Sequence, residues 1–185
     1  MPLPHFVNIK SATDLDEVIY KNLYEVNFVI PTALQSTHPT SQLIMLQETT
    51  SIKLPTYPEL QTVEQRFKYS TRVYLKTPDK TSTTFDVTFN MNQKKTGQVS
   101  TFRIIKDWYD LGWNNEDGSL HYKRNMLGDI IVFAHDKEGM IIRKVTYHNV
   151  QLTKFSGWEE YDWSSSDIMS LSASFVADYW EDSYM

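Results

Sequence analysis

Ile168-Met169-Ser170-Leu171-Ser172-Ala173-Ser174-Phe175-Val176-Ala177-Asp178-Tyr179-Trp180 alternates along its length. Met169, Leu171, Ala173, Phe175, Ala177 and Tyr179 share one face. Ile168, Ser170, Ser172, Ser174, Val176 and Asp178 share the other. Successive side chains of a strand point to opposite sides, so this period predicts a long strand with one strongly apolar face.

The same period recurs upstream. From Leu23 to Ile30, Tyr24, Val26, Phe28 and Ile30 oppose Glu25 and Asn27, and Pro31 ends the run. Over 63–76, Phe67, Tyr69, Thr71, Val73 and Leu75 oppose Arg66, Lys68, Ser70, Arg72, Tyr74 and Lys76. The spacing predicts one strand there, with a turn at Thr77-Pro78-Asp79-Lys80. Over 83–90, Phe85, Val87 and Phe89 oppose Thr84, Asp86, Thr88 and Asn90. Ile130–His135, the Gly-ended turn Asp136–Gly139 and the return Met140–Gln151 read as a hairpin.

Helical spacing appears twice. Over 98–111, Val99, Phe102, Ile105 and Leu111 line one side, Trp108 and Tyr109 extend it, and Gly112 is a stop signal. Over 13–21, Leu15, Val18 and Ile19 form a short apolar face behind a Thr13 cap. Residues 31–62 carry four prolines, with one apolar run, Leu43-Ile44-Met45-Leu46. They read as a long excursion holding one or two short strands, of a length that is often functional. The expected class is mainly β with one main α-helix: an antiparallel β-sandwich or partly open barrel with a flanking helix. No repeat or linker divides the 185 residues, so a single domain over 1–185 is expected.

Composition bounds the chemistry. Apolar residues make up 41% and charged residues 22%, as in a globular chain. With no Cys, disulfide scaffolds, thiolate metal sites and cysteine nucleophiles are excluded. A net charge of −5 argues against a globally basic nucleic-acid binder. No apolar run approaches the ~20 residues of a membrane helix, so no stable membrane insertion is expected. Met1-Pro2-Leu3-Pro4-His5-Phe6 does not read as a signal peptide. No nucleophile elbow, dinucleotide fingerprint or phosphate loop is present. His5, His38, His121, His135 and His148 form no ligand pair and read as surface or structural. The acidic cluster Glu159, Glu160 and Asp162 reads as a solvated loop. No enzyme, cofactor or metal is expected.

Charge is uneven along the chain. Phe155–Met185 carries seven acids and no Lys or Arg, whereas Lys53–Lys80 carries six bases against three acids. Three arrangements accommodate this: the basic strand lies near its own acidic C-terminus, the two patches meet between copies, or the stripe binds phosphates. Tyr179 and Trp180 form either a final core strand or a subunit contact.

Ser174-Phe175-Val176-Ala177-Asp178-Tyr179-Trp180-Glu181 resembles the ending of the tail tube proteins of contractile-tailed bacteriophages. Asn22–Val26, Gln65–Tyr69, Phe85–Asn90, a helix ending in Asp107-Trp108, and Lys144–Val150 followed by Phe155–Trp163 are similar to successive family segments, in order. The resemblance spans about residues 13–181 and departs from the family at 31–47, which looks like an insertion. It implies hexameric rings that stack into a tube conducting double-stranded DNA from capsid to host. It also implies a virion location, assembly in the host cytoplasm, and sheath, baseplate, tape measure and tail-terminator partners. Related tubes serve type VI secretion and injection systems that deliver protein effectors.

With that resemblance, residues 31–62 are expected to touch the neighbouring ring. The contact candidates are Leu43, Ile44, Met45, Leu46, Arg66, Lys68, Arg72, Tyr179 and Trp180. The lumen is expected to be neutral to acidic, since cations neutralising phosphates would add drag. By alternation, Glu25, Asn27, Asp86, Thr88, Ser170, Ser172 and Ser174 are the lining candidates.

Overall fold

The computed structural model describes residues 23–57, 60, 62–76, 83–91, 100–113, 116–157 and 169–184. The expected helix at 13–21, the turn at 77–80, His5 and the acidic cluster at 159–162 lie outside them. Nine strands and four helices are described: β1 (Tyr24–Val29), α1 (Thr32–Gln35), α2 (Ser41–Glu48), β2 (Thr49–Ile52), β3 (Thr62–Phe67), β4 (Ser70–Leu75), β5 (Thr83–Asn90), α3 (Thr101–Gly112), α4 (Lys123–Met126), β6 (Gly128–His135), β7 (Ile141–Ser156), β8 (Ser170–Ala177) and β9 (Tyr179–Tyr184). Among the described residues no helix is long and apolar enough to cross a membrane.

The main sheet runs β1-β6-β7-β8-β5-β2, with β9 also on β7, and every pairing is antiparallel. Strand β7 belongs to both halves. Its first part pairs with β6 and β9, and its last residues pair with β8. Between them, Asn149 takes φ 55°, a left-handed conformation that Asn tolerates better than most residues. The Asn149 N–H donates to Asp129 Oδ1 at 3.0 Å. Opposite, Asp178 separates β8 from β9, and its N–H donates to His148 O at 3.1 Å. Both long strands thus turn at one level and fold the sheet over on itself.

The two inner faces pack together. Val26, Phe28, Ile130, Val132, Val145 and Tyr147 meet Phe85, Val87, Phe89, Leu171, Ala173 and Phe175. Phe28 lies 5.6 Å from Phe89, and Phe85 stacks on Tyr147 at 4.0 Å between centroids. Helix α3 follows Ser100, whose hydroxyl accepts from Arg103 N–H. It drives Trp108 against Phe175, 5.5 Å away. The Trp108 indole N–H donates to Met126 O at 2.9 Å. Gly128 makes this fit possible, because a Cβ there would sit 2.5 Å from Val29 O and 2.8 Å from the Trp108 ring. This is the expected sandwich or partly open barrel with a flanking helix.

The structure corrects three sequence readings. The strand read over 63–76 is two strands, because the chain reverses at Lys68-Tyr69. The strand read over 168–180 breaks at Asp178, so Tyr179 is exposed instead of continuing the buried row. Among its described residues the excursion 31–62 holds a short strand, β2, as expected, but also two helices, α1 and α2, that its sequence did not suggest. Helix α2 has four consecutive apolar residues and no side-chain cap, so its sequence lacks helical spacing. Burial of Met45 and the Thr49 Oγ1 bond to Met45 O (2.6 Å) hold it in place.

Candidate assembly surfaces

Strands β5 and β8 lie side by side with Asp86 opposite Ser174, Thr88 opposite Ser172 and Asn90 opposite Ser170. Their alternate residues are in the core, so this polar row points outward. Ser174 Oγ donates to Asp86 Oδ1 at 2.6 Å. The end of β7 adds Lys154 opposite Ser174 and Ser156 opposite Ser172, and β2 adds Ser51 opposite Thr88. The result is a hydroxyl-rich face that carries Asp86 and Lys154, with Lys53 following β2 beside Asp86. Five lumen candidates, Asp86, Thr88, Ser170, Ser172 and Ser174, come together here.

The other two do not join them. Glu25 and Asn27 point outward from β1, in the opposite half of the folded sheet. Asn27 Oδ1 accepts from Gln42 Nε2 of α2, and Glu25 lies 3.7 Å from His135 Nε2. The outward faces of two halves that share one core diverge, so alternation alone grouped residues that the fold separates.

Strands β3 and β4 form a separate two-stranded sheet, with every residue from Thr62 to Leu75 exposed. The two-residue turn changes the face on which each side chain lies. Phe67 now shares a face with Ser70, Arg72 and Tyr74, whereas Arg66 shares one with Thr71, Val73 and Leu75. The continuous basic stripe therefore does not exist: Arg66 and Arg72 lie on opposite faces and Lys68 is in the turn. Arg72 sits over the Phe67 ring and Lys68 over the Tyr69 ring. Val63, Phe67, Tyr69, Val73, Tyr74 and Leu75 are all at least 46% exposed.

Among the described residues, the acids near the C-terminus pair with groups outside that hairpin. Asp182 accepts from Arg143 Nε at 3.0 Å and Nη2 at 2.7 Å, and Lys123 Nζ reaches both Asp178 oxygens. Glu181 lies 3.6 Å from His148 Nε2. Asp178, Glu181 and Asp182 thus pair away from the basic strand, and the other four acids of the C-terminal stretch lie outside the described residues.

The Leu43–Leu46 run is not an exposed patch. A helix spreads consecutive residues around its axis, so Met45 enters the core, Ile44 packs against it, Leu46 is half-buried and Leu43 alone is exposed. Trp180 is half-buried, its ring edge-on to Tyr57 at 5.0 Å. Tyr179 is exposed and stacks on His148 at 4.6 Å.

Several polar pairings matter that sequence reading did not find. His38 is buried and its Nε2 lies 2.7 Å from Asp107 Oδ2, joining the α1–α2 connection to α3. Asp182 is held below the usual carboxylate range, mainly by the Arg143 hydrogen bonds, and Arg143 is raised by the same contact. Burial pushes the Tyr147 hydroxyl well above its ordinary value, and that hydroxyl donates to Lys53 O at 2.9 Å. Each pair joins residues far apart in the chain, which no local motif could mark. Among the described residues no cluster of His, Asp or Glu could hold a metal ion.

No protein-family model matches this chain, and no curated protein matches its sequence. Solved structures do. A chain of the PVC extracellular contractile injection system sheath–tube complex matches with a TM-score of 0.60 at 14% identity, over 95% of this chain and 98% of that one. The fold is thus like that of a chain from a contractile sheath–tube complex. A chain of the anti-feeding prophage tube-terminating cap matches with a TM-score of 0.58 at 11% identity, over 92% and 93% of the two chains. A chain of the PVC sheath/tube terminator matches with a TM-score of 0.55 at 14% identity, over 91% and 99%. The likeness extends over nearly the whole of each matched chain.

Proposed function

We propose that this chain is a structural, non-enzymatic subunit of the tube in a contractile tail-like assembly. Copies close into hexameric rings, and the rings stack. The observation that carries this reading is the pairing of a tail-tube fold with a hairpin exposed on both faces. A monomer leaves such apolar surface bare, whereas a stacked assembly covers it. The neighbours in a sheath–tube complex, a cap and a baseplate support a location inside such a particle, with sheath and baseplate proteins as partners.

In this reading the β5–β8 face lines the lumen and the tube conducts double-stranded DNA from a phage capsid. Hydroxyls hydrate such a wall without binding phosphates, and Asp86 offsets the charge that Lys154 brings to the same face. The second reading, delivery of protein effectors by an injection system, is favoured by the likeness to chains of PVC and the anti-feeding prophage.

Negative-stain microscopy of the purified chain, alone and with a baseplate seed, tests the assembly. Rings or tubes are expected, and a stable monomer at high concentration in both conditions overturns it. Particles isolated from the producing cell separate the two cargoes, as DNA-filled capsids joined to the tubes or as capsid-free sheathed tubes.

A further inference from the structure

The chain carries an apolar hollow and an apolar knob that do not meet each other. The hollow is a cavity of about 520 Å³ walled by Ile52, Val132, Ala134 and Ile142, with Leu54 and Tyr184 exposed at its rim. It lies where β1 and β2 approach, and the Tyr24 hydroxyl joins the two edges by donating to Thr50 O at 2.7 Å. Leu54 belongs to the strap Lys53–Tyr57, which runs from β5 to β9. Lys53 N–H donates to Asp86 O at 3.2 Å, and the Tyr57 hydroxyl donates to Asp182 Oδ2.

One polar group of the wall is unspent. Arg143 lines the cavity, and its Nε and Nη2 donate to Asp182 at 3.0 and 2.7 Å. Among the described residues its Nη1 meets no acceptor. Asp182 already balances the guanidinium charge, so a neutral oxygen suits Nη1 better than a second anion. The cavity therefore fits an apolar group that carries a single hydroxyl.

The knob is Tyr69, in the reversal between β3 and β4. It is 89% exposed, more than any other large apolar side chain among the described residues. A tyrosine joins a large apolar ring to one hydroxyl, which is the chemistry the cavity lacks. Arg66 and Lys68 flank the knob, while β1 and β9 beside the cavity expose Glu25 and Glu181 and carry no Lys or Arg, so the two surfaces differ in sign. A knob on one surface and a hollow on another make a head-to-tail contact, which passes from copy to copy.

We propose that Tyr69 of one copy enters the cavity of a second copy, its ring against Val132, Ala134 and Ile142 and its hydroxyl on Arg143 Nη1. Buried aromatic anchors of this kind carry most of the energy of an interface. Repetition of the contact along a tube rests on the proposed tube role; the pairing itself can be read without tubes.

Tyr69→p-benzoylphenylalanine puts a photoreactive ring at the knob. Chains carrying it are mixed with isotope-labelled wild-type chains and irradiated, and the products are mapped by mass spectrometry. Crosslinks from position 69 to Val132, Ala134 or Ile142 of the labelled chain are expected. Tyr69→Ala should weaken self-association in sedimentation about thirty-fold, and Tyr69→Phe about five-fold, the loss of one hydrogen bond. Ala134→Trp fills the cavity from within and should act like Tyr69→Ala; if it unfolds the chain, Tyr69→Ala at the exposed turn still decides. Crosslinks confined to one chain or to another surface overturn the pairing, as does a Tyr69→Ala chain that associates like wild type. Tubes whose crosslinks map elsewhere overturn the pairing and leave the tube reading. Crosslinks into the cavity without rings or tubes remove the tube reading and keep the pairing. A chain that stays monomeric and gives no crosslink between copies overturns both.

Discussion

The β5–β8 pair and the β3–β4 hairpin are written in the same alternating code, yet they meet opposite fates. Phe85, Val87, Phe89, Leu171, Ala173 and Phe175 are essentially inaccessible, whereas no residue of β3 or β4 is buried. Alternation states that a segment has two faces. It does not state what covers either one. In the first pair the cover is the opposite half of the sheet and α3; in the second, none of the described residues supplies one.

The largest expected difference is in stability. Phe175→Ala removes a ring that touches both Phe85 and Trp108 and should cost about 4 kcal/mol in denaturant unfolding. Phe67→Ala and Val73→Ala in the hairpin should each fall within about 0.5 kcal/mol of wild type, yet suppress tube growth seen by microscopy. A hairpin variant that unfolds the monomer as strongly as Phe175→Ala would erase the contrast.

A smaller effect is expected where the C-terminal strand joins the strap. Asp182→Asn leaves Arg143 without its charged partner and should lower stability by about 3 kcal/mol in the same assay. Next comes Gly128→Ala, which pushes a methyl group into the Val29 carbonyl and the Trp108 ring, for about 2 kcal/mol by thermal unfolding.

The smallest effects are read from pH. Asp182 is depressed in the folded state, so its contribution is complete above the ordinary carboxylate value of about 4 and lost as pH falls below it. The unfolding midpoint should drop on acidification, with a shallower drop in Asp182→Asn. Tyr147 is raised, so folding favours its neutral form. Stability falls as pH rises above the tyrosine value of about 10, and Tyr147→Phe flattens that limb.

Much of the fold was legible because it depends on short-range order. The row Leu171, Ala173, Phe175 and Ala177 reads as a buried strand face from its period alone, and so do Val26, Phe28 and Ile30. The candidate surfaces were legible only in part. Asp86, Thr88, Ser170, Ser172 and Ser174 do share a face, because their strands pair in register. Glu25 and Asn27 fit the same alternation on a strand that the fold carries to the other side. The basic stripe failed on one local event, a reversal at Lys68-Tyr69 without the Asn-Gly or Gly-rich signature of tight hairpins. The Leu43–Leu46 run failed because four adjacent apolar residues carry no period to tell a helix from a strand.

By itself, the sequence determined where backbone alternates, which rows are apolar, that an amphipathic helix carries Phe102, Ile105 and Trp108, and that thiol chemistry is absent. Those properties follow from neighbours a few residues apart. Only the tertiary structure decided which rows meet, that β7 serves both halves, that His38 finds Asp107, and that Arg143 and Tyr57 converge on Asp182. Such pairings depend on how the sheet bends at Asn149 and Asp178, and a bend acts on distant segments at once, leaving no mark in the local pattern of either.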